Sequence, residues 1–202
     1  MSDHFLDIAM TDDVCSVQKA MGSDRLYRRV DTGHGRDRFN DNETRFIADR
    51  DSFYMATVSE TGWPYLQHRG GPRGFLRVLD ERTLAFADFR GNRQYISVGN
   101  ALSNSRCCLF LIDYPRRARL KIYAHIEILP LDADPKLTEY ISGTNYRATP
   151  ERLLRLHLEA FDWNCAQHIT PRYTAQQINA AHHTLTQRLQ LLEAELQALR
   201  RG

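Results

Sequence analysis

Residues 119–129 read RLKIYAHIEIL, and their alternation decides the fold. Leu120, Ile122, Ala124, Ile126 and Ile128 fall on one side of an extended chain, and Arg119, Lys121, Tyr123, His125 and Glu127 on the other, because successive side chains of a strand point to opposite faces. One face is expected to be core and the other wet or functional. The same pattern recurs outward from this strand. DSFYMATVS (51–59) and WPYLQHR (63–69) flank SETG, whose glycine suits a tight turn, so the two are expected to pair as an antiparallel hairpin. TLAFAD (83–88), RCCLFLID (106–113) and RLLRLHLEAFDWN (152–164) read as further strands, RCCLFLID being apolar enough to be buried on both faces.

Helices punctuate these strands. TDDVCSVQKAMG (11–22) has an acidic first turn and a glycine stop, and RFNDNETRFIADR (38–50) predicts a second helix capped near Asp41. The polar RRVDTGHGRDR (28–38) between them reads as a surface loop. NRQYISVGNAL (92–102) and DADPKLTEYIS (132–142) predict two short helices. From about Thr174 to Arg200 a long helix carries Leu185, Leu189, Leu192, Leu196 and Leu199 at spacings of four, three, four and three. That seam suits either a coiled-coil-like subunit contact or docking on the chain's own barrel. Several antiparallel strands with short helical insertions argue for a mainly β fold with α elements, a β-barrel with peripheral helices and a long C-terminal helix. No G-x-G-x-x-G follows a strand, so a parallel dinucleotide fold is not indicated.

Bulk properties narrow the function. A chain of 202 residues suits one domain with a substantial core and an appended element. Twenty-seven basic against twenty-five acidic residues leave a net charge of +2, far from the footprint of a general nucleic-acid binder. No apolar run approaches the roughly 20 residues of a membrane span. MSDHFLDIAMTDD has neither the basic start nor the apolar stretch of a secretory signal, and a cytoplasmic location is expected. Cys15, Cys107, Cys108 and Cys165 show no C-x-x-C spacing, and the adjacent pair would point to opposite faces of a strand, so packed thiols are expected rather than zinc ligands or disulfides. His157, His182 and His183 lack paired metal-ligand spacing, and no metal site is expected.

The chemistry concentrates in ADFRGNRQYISVGN (87–100), which passes from strand to helix with Arg90, Gly91, Asn92 and Arg93 at the join. Two arginines at a helix start oppose the helix dipole. An anion held by the exposed N–H groups there would resolve the conflict, with the glycine allowing close approach. Gln67 and Arg69 alternate onto one face of their strand, and Arg119 and Lys121 share the polar face of theirs. If the barrel brings these groups together, they line a pocket for a phosphate and a polar ring system, the outline of a flavin mononucleotide (FMN). Taken singly, each arginine reads as a surface charge.

DSFYMATVSETGWPYLQHRGGPRGFL (51–76), LAFADFRGNRQYISVGN (84–100) and LEAFDWNCAQHITPRYT (158–174) resemble the signature segments of the pyridoxamine 5′-phosphate oxidase-like FMN-binding split-barrel family, in particular a bacterial subfamily. The likeness spans about Asp12 to Tyr173 and leaves the leucine-seamed tail outside. It implies a split β-barrel of Greek-key type, FMN as cofactor, and a homodimer with FMN at the subunit interface, without nucleic-acid or membrane partners. On this resemblance the chain divides into a helical segment at 1–50, the FMN-binding barrel at 51–173, and a C-terminal helix at 174–202 as a candidate oligomer contact.

Carried over by residue, the resemblance places Gln67, His68 and Arg69 along the flavin and phosphate, and Ala87 and Asp88 beside the isoalloxazine ring. Asn92 and Arg93 match the basic pair that holds the phosphate, with Arg90 beside them, and Arg119, with Lys121, falls where a glutamine commonly approaches the ring. Trp163 matches a tryptophan contributed by the partner subunit, followed by Gln167 and His168, the last a candidate proton donor or substrate contact. True pyridoxamine phosphate oxidases carry an Arg-x-His grip on the substrate where this chain reads NCAQHITPRYT, so vitamin B6 oxidation is not implied. The leading expectation is an FMN-dependent oxidoreductase of unassigned small-molecule substrate. A non-catalytic flavin-binding, storage or sensing protein is the alternative. Behind it stand a barrel holding deazaflavin or haem, with His68, His125 and His168 as unplaced axial candidates, and a structural dimer with a dead pocket.

Overall fold

A computed structural model describes residues 3–26, 37–142, 146–163 and 166–201. The chain forms two compact units, the described parts of 1–113 with 118–165, and of 114–117 with 166–202. In chain order the elements are α1 (Asp3–Ala9), α2 (Asp12–Ala20), α3 (Asp41–Ala48), β1 (Ser52–Val58), β2 (Pro64–Gly70), β3 (Arg77–Asp80), β4 (Thr83–Phe89), α4 (Ile96–Ser103), β5 (Arg106–Asp113), β6 (Ala118–Leu129), α5 (Pro135–Ser142), β7 (Pro150–Trp163) and α6 (Ala175–Arg201).

The strands form one antiparallel sheet in the order β2-β1-β5-β6-β7-β4-β3, the framework of a split barrel. β6 lies at its centre and alternates as its sequence demands: Leu120, Ile122, Ala124 and Ile126 are buried, and the polar residues between them are half-buried. Ile128 remains half-buried at the strand's end, packed against the same core. Leu109 and Leu111 of β5 and Leu154, Leu156 and Leu158 of β7 meet this face, and α3 closes it with Phe46 and Ile47. Full burial of a Leu, Ile or Phe side chain stabilises by about 1.5–3 kcal/mol, so this layer dominates folding. A smaller cluster lies on the opposite side of β4 and β7, where Ala85, Ala87 and Leu153 meet Leu137 and Ile141 of α5.

The hairpin closes at SETG with Gly62 at φ +86°, a conformation that glycine adopts freely. At Gly71 a Cβ would come within 2.6 Å of the Phe75 ring, which packs there against Phe53. The first helix of the 11–22 stretch begins after Thr11, whose side chain accepts from Val14 N, and stops before Gly22. α3 is capped by Asn40, one residue before the expected Asp41, and Glu43 reaches back to complete a capping box.

Four expectations need correction. α1 was not anticipated, because seven residues are too few for a clear helical period; it packs Phe5 on Tyr123 at 4.7 Å. β3 was missed for the same reason, having four residues and no full alternation. β5 is not buried on both faces: Cys107, Leu109, Leu111 and Asp113 are buried, whereas Cys108, Phe110 and Ile112 are half-buried on the outer side. α4 begins at Ile96, so Asn92–Tyr95 belong to a loop rather than to a helical first turn. The loop expected at 28–38 lies outside the described residues except for Asp37 and Arg38. No helix among the described residues is long and apolar enough to cross a membrane.

Candidate functional site

Strand pairing carries the candidate residues to one place. Phe53 faces Arg69 and Met55 faces Gln67 across β1 and β2, so Gln67 and Arg69 lie on the inner face with the buried Phe53 and Met55. On β4, Asp88 shares the inner face with Leu84 and Phe86, and its carboxylate Oδ1 accepts from Arg69 Nη1 at 2.5 Å. Both side chains are about nine-tenths buried, at 11% and 7% exposure, and Arg152 of β7 reaches Asp88 Oδ2 at 3.6 Å. The Asp88↔Arg152 register explains this contact between residues 64 positions apart.

Gln67, Arg69 and Asp88 line a cavity of about 180 Å³ with Phe89, Gly91, Asn92, Arg93, Tyr95, Val98 and Glu151, and Arg152 stands behind Asp88. α4 is held against the wall by two hydrogen bonds. Ser97 Oγ donates to Gln67 Oε1 at 2.8 Å, and the buried Asn100 Nδ2 donates to Thr57 Oγ1 at 3.0 Å. The N-cap residue Tyr95 offers no side-chain hydrogen bond to the helix N–H groups. Those donors therefore stay open toward a ligand, in the manner of an anion-binding helix start.

The loop that enters α4 is strained. Arg93 and Tyr95, neither a glycine, adopt φ of 60° and 53°, a region that costs a bulky residue about 1–3 kcal/mol and clusters at binding sites. Asn92 shapes the loop, its Oδ1 accepting from Gln94 N at 3.2 Å.

The electrostatics favour an anion. Glu151 Oε1 accepts from Arg90 Nε at 3.0 Å and from Tyr95 OH at 3.2 Å, and Oε2 accepts from Arg152 Nη2 at 3.3 Å. The bond from Arg90, the largest influence, holds the Glu151 carboxyl below its ordinary range. Its hydrogen bond with Tyr95 keeps the Arg93 guanidinium charged by raising its pKa. The cavity itself is lined by two arginines, 69 and 93, and two carboxylates, Asp88 and Glu151; Arg90 and Arg152, ion-paired with those carboxylates, stand beside it and give the whole cluster two positive charges in excess. Arg69 Nε is buried without a hydrogen-bond partner among the described residues. A buried donor left unpaired costs about 1–3 kcal/mol, which a phosphate oxygen would offset.

Not every expected residue joins this cavity. Ala87 points to the second cluster, away from Asp88. His68 lies on the outer face of β2 and meets Tyr54 edge-on at 5.5 Å. Arg119 and Lys121 share the outer face of β6: Arg119 lies over Phe110, and Lys121 pairs with Asp162 at 2.7 Å and lies over Phe5. Trp163 donates its indole N–H to Glu43 Oε1 at 2.7 Å and packs on Phe46. Gln167 and His168 belong to the other compact unit, His168 with a φ of 62°. Tyr95, Glu151 and Arg152 were not anticipated. Tyr95 lay within the quoted stretch, but Arg152 reaches the site through its register with Asp88 and Glu151 through the irregularity in the pairing beside it.

A larger cavity of about 520 Å³ opens on the outer face, lined by Ile8, Arg106, Cys108, Tyr123, His125 and Glu159 among others. It gathers no surplus of positive charge. His125 there receives or donates a bond with Ser105 Oγ at 3.0 Å through Nδ1 and has Glu159 at 3.8 Å from Nε2. Burial pushes the thiols of Cys107 and Cys108 up, and the phenol of Tyr123 likewise. No group of His, Cys, Asp and Glu able to hold a metal occurs among the described residues.

Comparison with curated proteins finds no match. Among solved structures, HupZ of Group A Streptococcus aligns at 17% identity over 67% of this chain and 100% of its own, with a TM-score of 0.50. A single-residue variant of that protein aligns at 15% identity over 62% and 98%, also at 0.50. An FMN-binding protein from Syntrophomonas wolfei aligns at 14% over 60% and 83%, at 0.46. The two HupZ likenesses bear on the fold alone. The sequence family described as pyridoxamine 5′-phosphate oxidase matches residues 39–162, well over half of the chain. The match takes in β1 to β7 up to Asp162 and every residue of the smaller cavity. The chain belongs to the pyridoxamine 5′-phosphate oxidase family.

Proposed function

We propose that the chain is an FMN-binding flavoprotein that works as an oxidoreductase on a small molecule, as a homodimer whose second chain completes each flavin site. The observation that carries this reading is the smaller cavity: Arg69 with an unpartnered Nε, Arg93 and an open helix start border a space of about 180 Å³, inside a cluster of four arginines and two carboxylates. A phosphate monoester carries about −1.5 to −2 charges near neutral pH, which the four-arginine cluster around the cavity would balance. Arg69, Arg93 and the first N–H groups of α4 would hold the phosphate, and Asn92 sets the loop that presents them. Gln67, its amide oxygen engaged by Ser97, keeps an amide N–H for the sugar-alcohol chain.

The cavity is smaller than the roughly 300–1,000 Å³ of most small-molecule sites. In this reading it takes the phosphate end, and the ring lies beyond it. Arg119 and Lys121 on the outer face and Trp163, which the chain leaves outside the cavity, would then serve the ring from the second subunit, as would its Gln167 and His168. Bound FMN would supply a hydride acceptor; Arg119 and Lys121 would balance the charge gained on reduction, and His168 would donate a proton or contact the substrate.

The test is the visible absorption of protein purified without added cofactor, followed by heat release and chromatography. Released FMN near one per chain supports the reading. Arg93→Ala should weaken FMN by about 10- to 100-fold while leaving riboflavin unchanged, since only FMN carries the phosphate. Colourless protein that ignores added FMN would refute the cofactor, and bound FMN that no nicotinamide or other donor reduces would place the chain with flavin carriers.

A further inference from the structure

α6 runs 27 residues, a length of about 40 Å at 1.5 Å per residue. Its exposed apolar residues follow a stricter order than the five leucines alone suggest. Ile178, Leu185, Leu189, Leu192, Leu196 and Leu199 are 44–80% exposed and, with His182, occupy all seven successive core positions from 178 to 199. Leu191 is the one leucine off this seam. An apolar stripe of that length leaves its area in water unless something covers it.

The charges identify the cover. With His182, Leu189 and Leu196 at a positions, the g and e positions that flank the seam hold Arg188, Glu193, Glu195 and Arg200. In a parallel pair of such helices each g residue faces the e residue of the next heptad on the other strand. Arg188 then meets Glu193 of the second copy, and Glu195 meets Arg200, so both charged positions pair with opposite sign in each direction. An antiparallel pair centred on the same leucines leaves Glu193 and Arg200 beside Thr186 and Asn179. His182 makes the same choice: only the parallel register sets it beside its own copy, where one imidazole N–H donates to the other ring. A polar side chain at a single a position specifies register in this way.

We infer that α6 pairs with α6 of a second copy of this chain as a parallel two-stranded coiled coil. The pairing is independent of the flavin reading, since it lies outside the segment that carries the cavity. It supplies a self-association surface beyond the barrel, and two chains joined through it raise each other's local concentration at any barrel contact.

The experiment is disulfide trapping of the full chain, with Cys15→Ser and Cys165→Ser to remove competing thiols. Leu192→Cys at the seam and Leu191→Cys beside it are each oxidised with glutathione disulfide and resolved on a non-reducing gel. Leu192→Cys is expected to give covalent dimer at least tenfold faster than Leu191→Cys. Adding Glu193→Arg should slow the trapping, and Arg188→Glu in the same chain should restore it. Equal rates for the two cysteines, as docking on the chain's own barrel or on a different protein would produce, overturn the proposal. Insensitivity to Glu193→Arg overturns the parallel register.

Discussion

Arg69 serves two masters, and a three-variant cycle separates them. Its guanidinium is paired with Asp88 at 2.5 Å while its Nε is left for the cavity. Arg69→Ala leaves Asp88 buried at 5% exposure with Arg152 at 3.6 Å as its remaining ion-pair partner. Breaking a buried pair from one side costs about 3–5 kcal/mol. Arg152 retains part of the interaction, so the lower end, about 3 kcal/mol, is expected. In a chain of this size each kcal/mol moves the melting temperature by about 2–4 °C, giving a fall of about 6–12 °C. Asp88→Asn should destabilise by a similar amount, because it strands the arginine. The double variant Arg69→Ala/Asp88→Asn should recover most of the loss, since removing both partners leaves no buried charge alone.

Binding should not recover. The lost charge-assisted hydrogen bond to phosphate is worth about 1.5–3 kcal/mol, or about 10- to 150-fold in Kd, in the single and the double variant alike. Thermal melts of the apoprotein and quenching of flavin fluorescence read the two effects apart, with riboflavin as the phosphate-free control. Riboflavin weakened as much as FMN would refute the phosphate assignment, and a double variant as unstable as the singles would refute the buried pair.

Three further outcomes follow from other contacts. Glu43→Gln should lower stability by about 2 kcal/mol in urea melts, because it weakens both the capping box at Asn40 and the bond from Trp163, with an effect on α3 rather than on FMN affinity. Native-state thiol titration should label the exposed Cys15 quickly and spare Cys107 and Cys108, whose thiols burial pushes up; in a Cys165→Ser chain one fast thiol is expected, and two or more would contradict the packing of β5. Since the Glu151 carboxyl titrates lower folded than unfolded, its contribution is present above the ordinary carboxylate range and is lost as pH falls through its lowered value. Melts across a pH series should show wild type above Glu151→Gln at neutral pH and the gap closing in acid.

The barrel was legible because its evidence is local. Alternation along 119–129 needs no partner to be read, and neither does the turn at Gly62 or the cap of α3. What escaped was either too short to show a period, as at α1 and β3, or depended on which strand lies beside which. RCCLFLID looks doubly buried from composition, yet its outer residues Cys108, Phe110 and Ile112 are only half-covered: Cys108 borders the open outer cavity and Phe110 lies under Arg119.

The site divides along the same line. Gln67, Arg69, Asn92 and Arg93 could be gathered from the sequence because strand alternation and the glycine-containing join each point one way, while Asp88 was reached only through the family resemblance. Arg119 and Lys121 satisfied the same rule and still lie elsewhere, because alternation tells that residues share a face of their own strand but not which side of the sheet that face becomes. Glu151 and Arg152 show the converse. Nothing near Pro150 announces a binding residue, and they arrive because β7 pairs with β4 at Asp88. The opening conflict of arginines at a helix start also changes its meaning. With α4 beginning at Ile96, Arg93 stands before the helix in a left-handed conformation that holds a positive charge ahead of the positive end of the dipole. In the proposed reading a phosphate bound there would offset the repulsion, and the positive-φ conformation would be the backbone cost of aiming Arg93 at it.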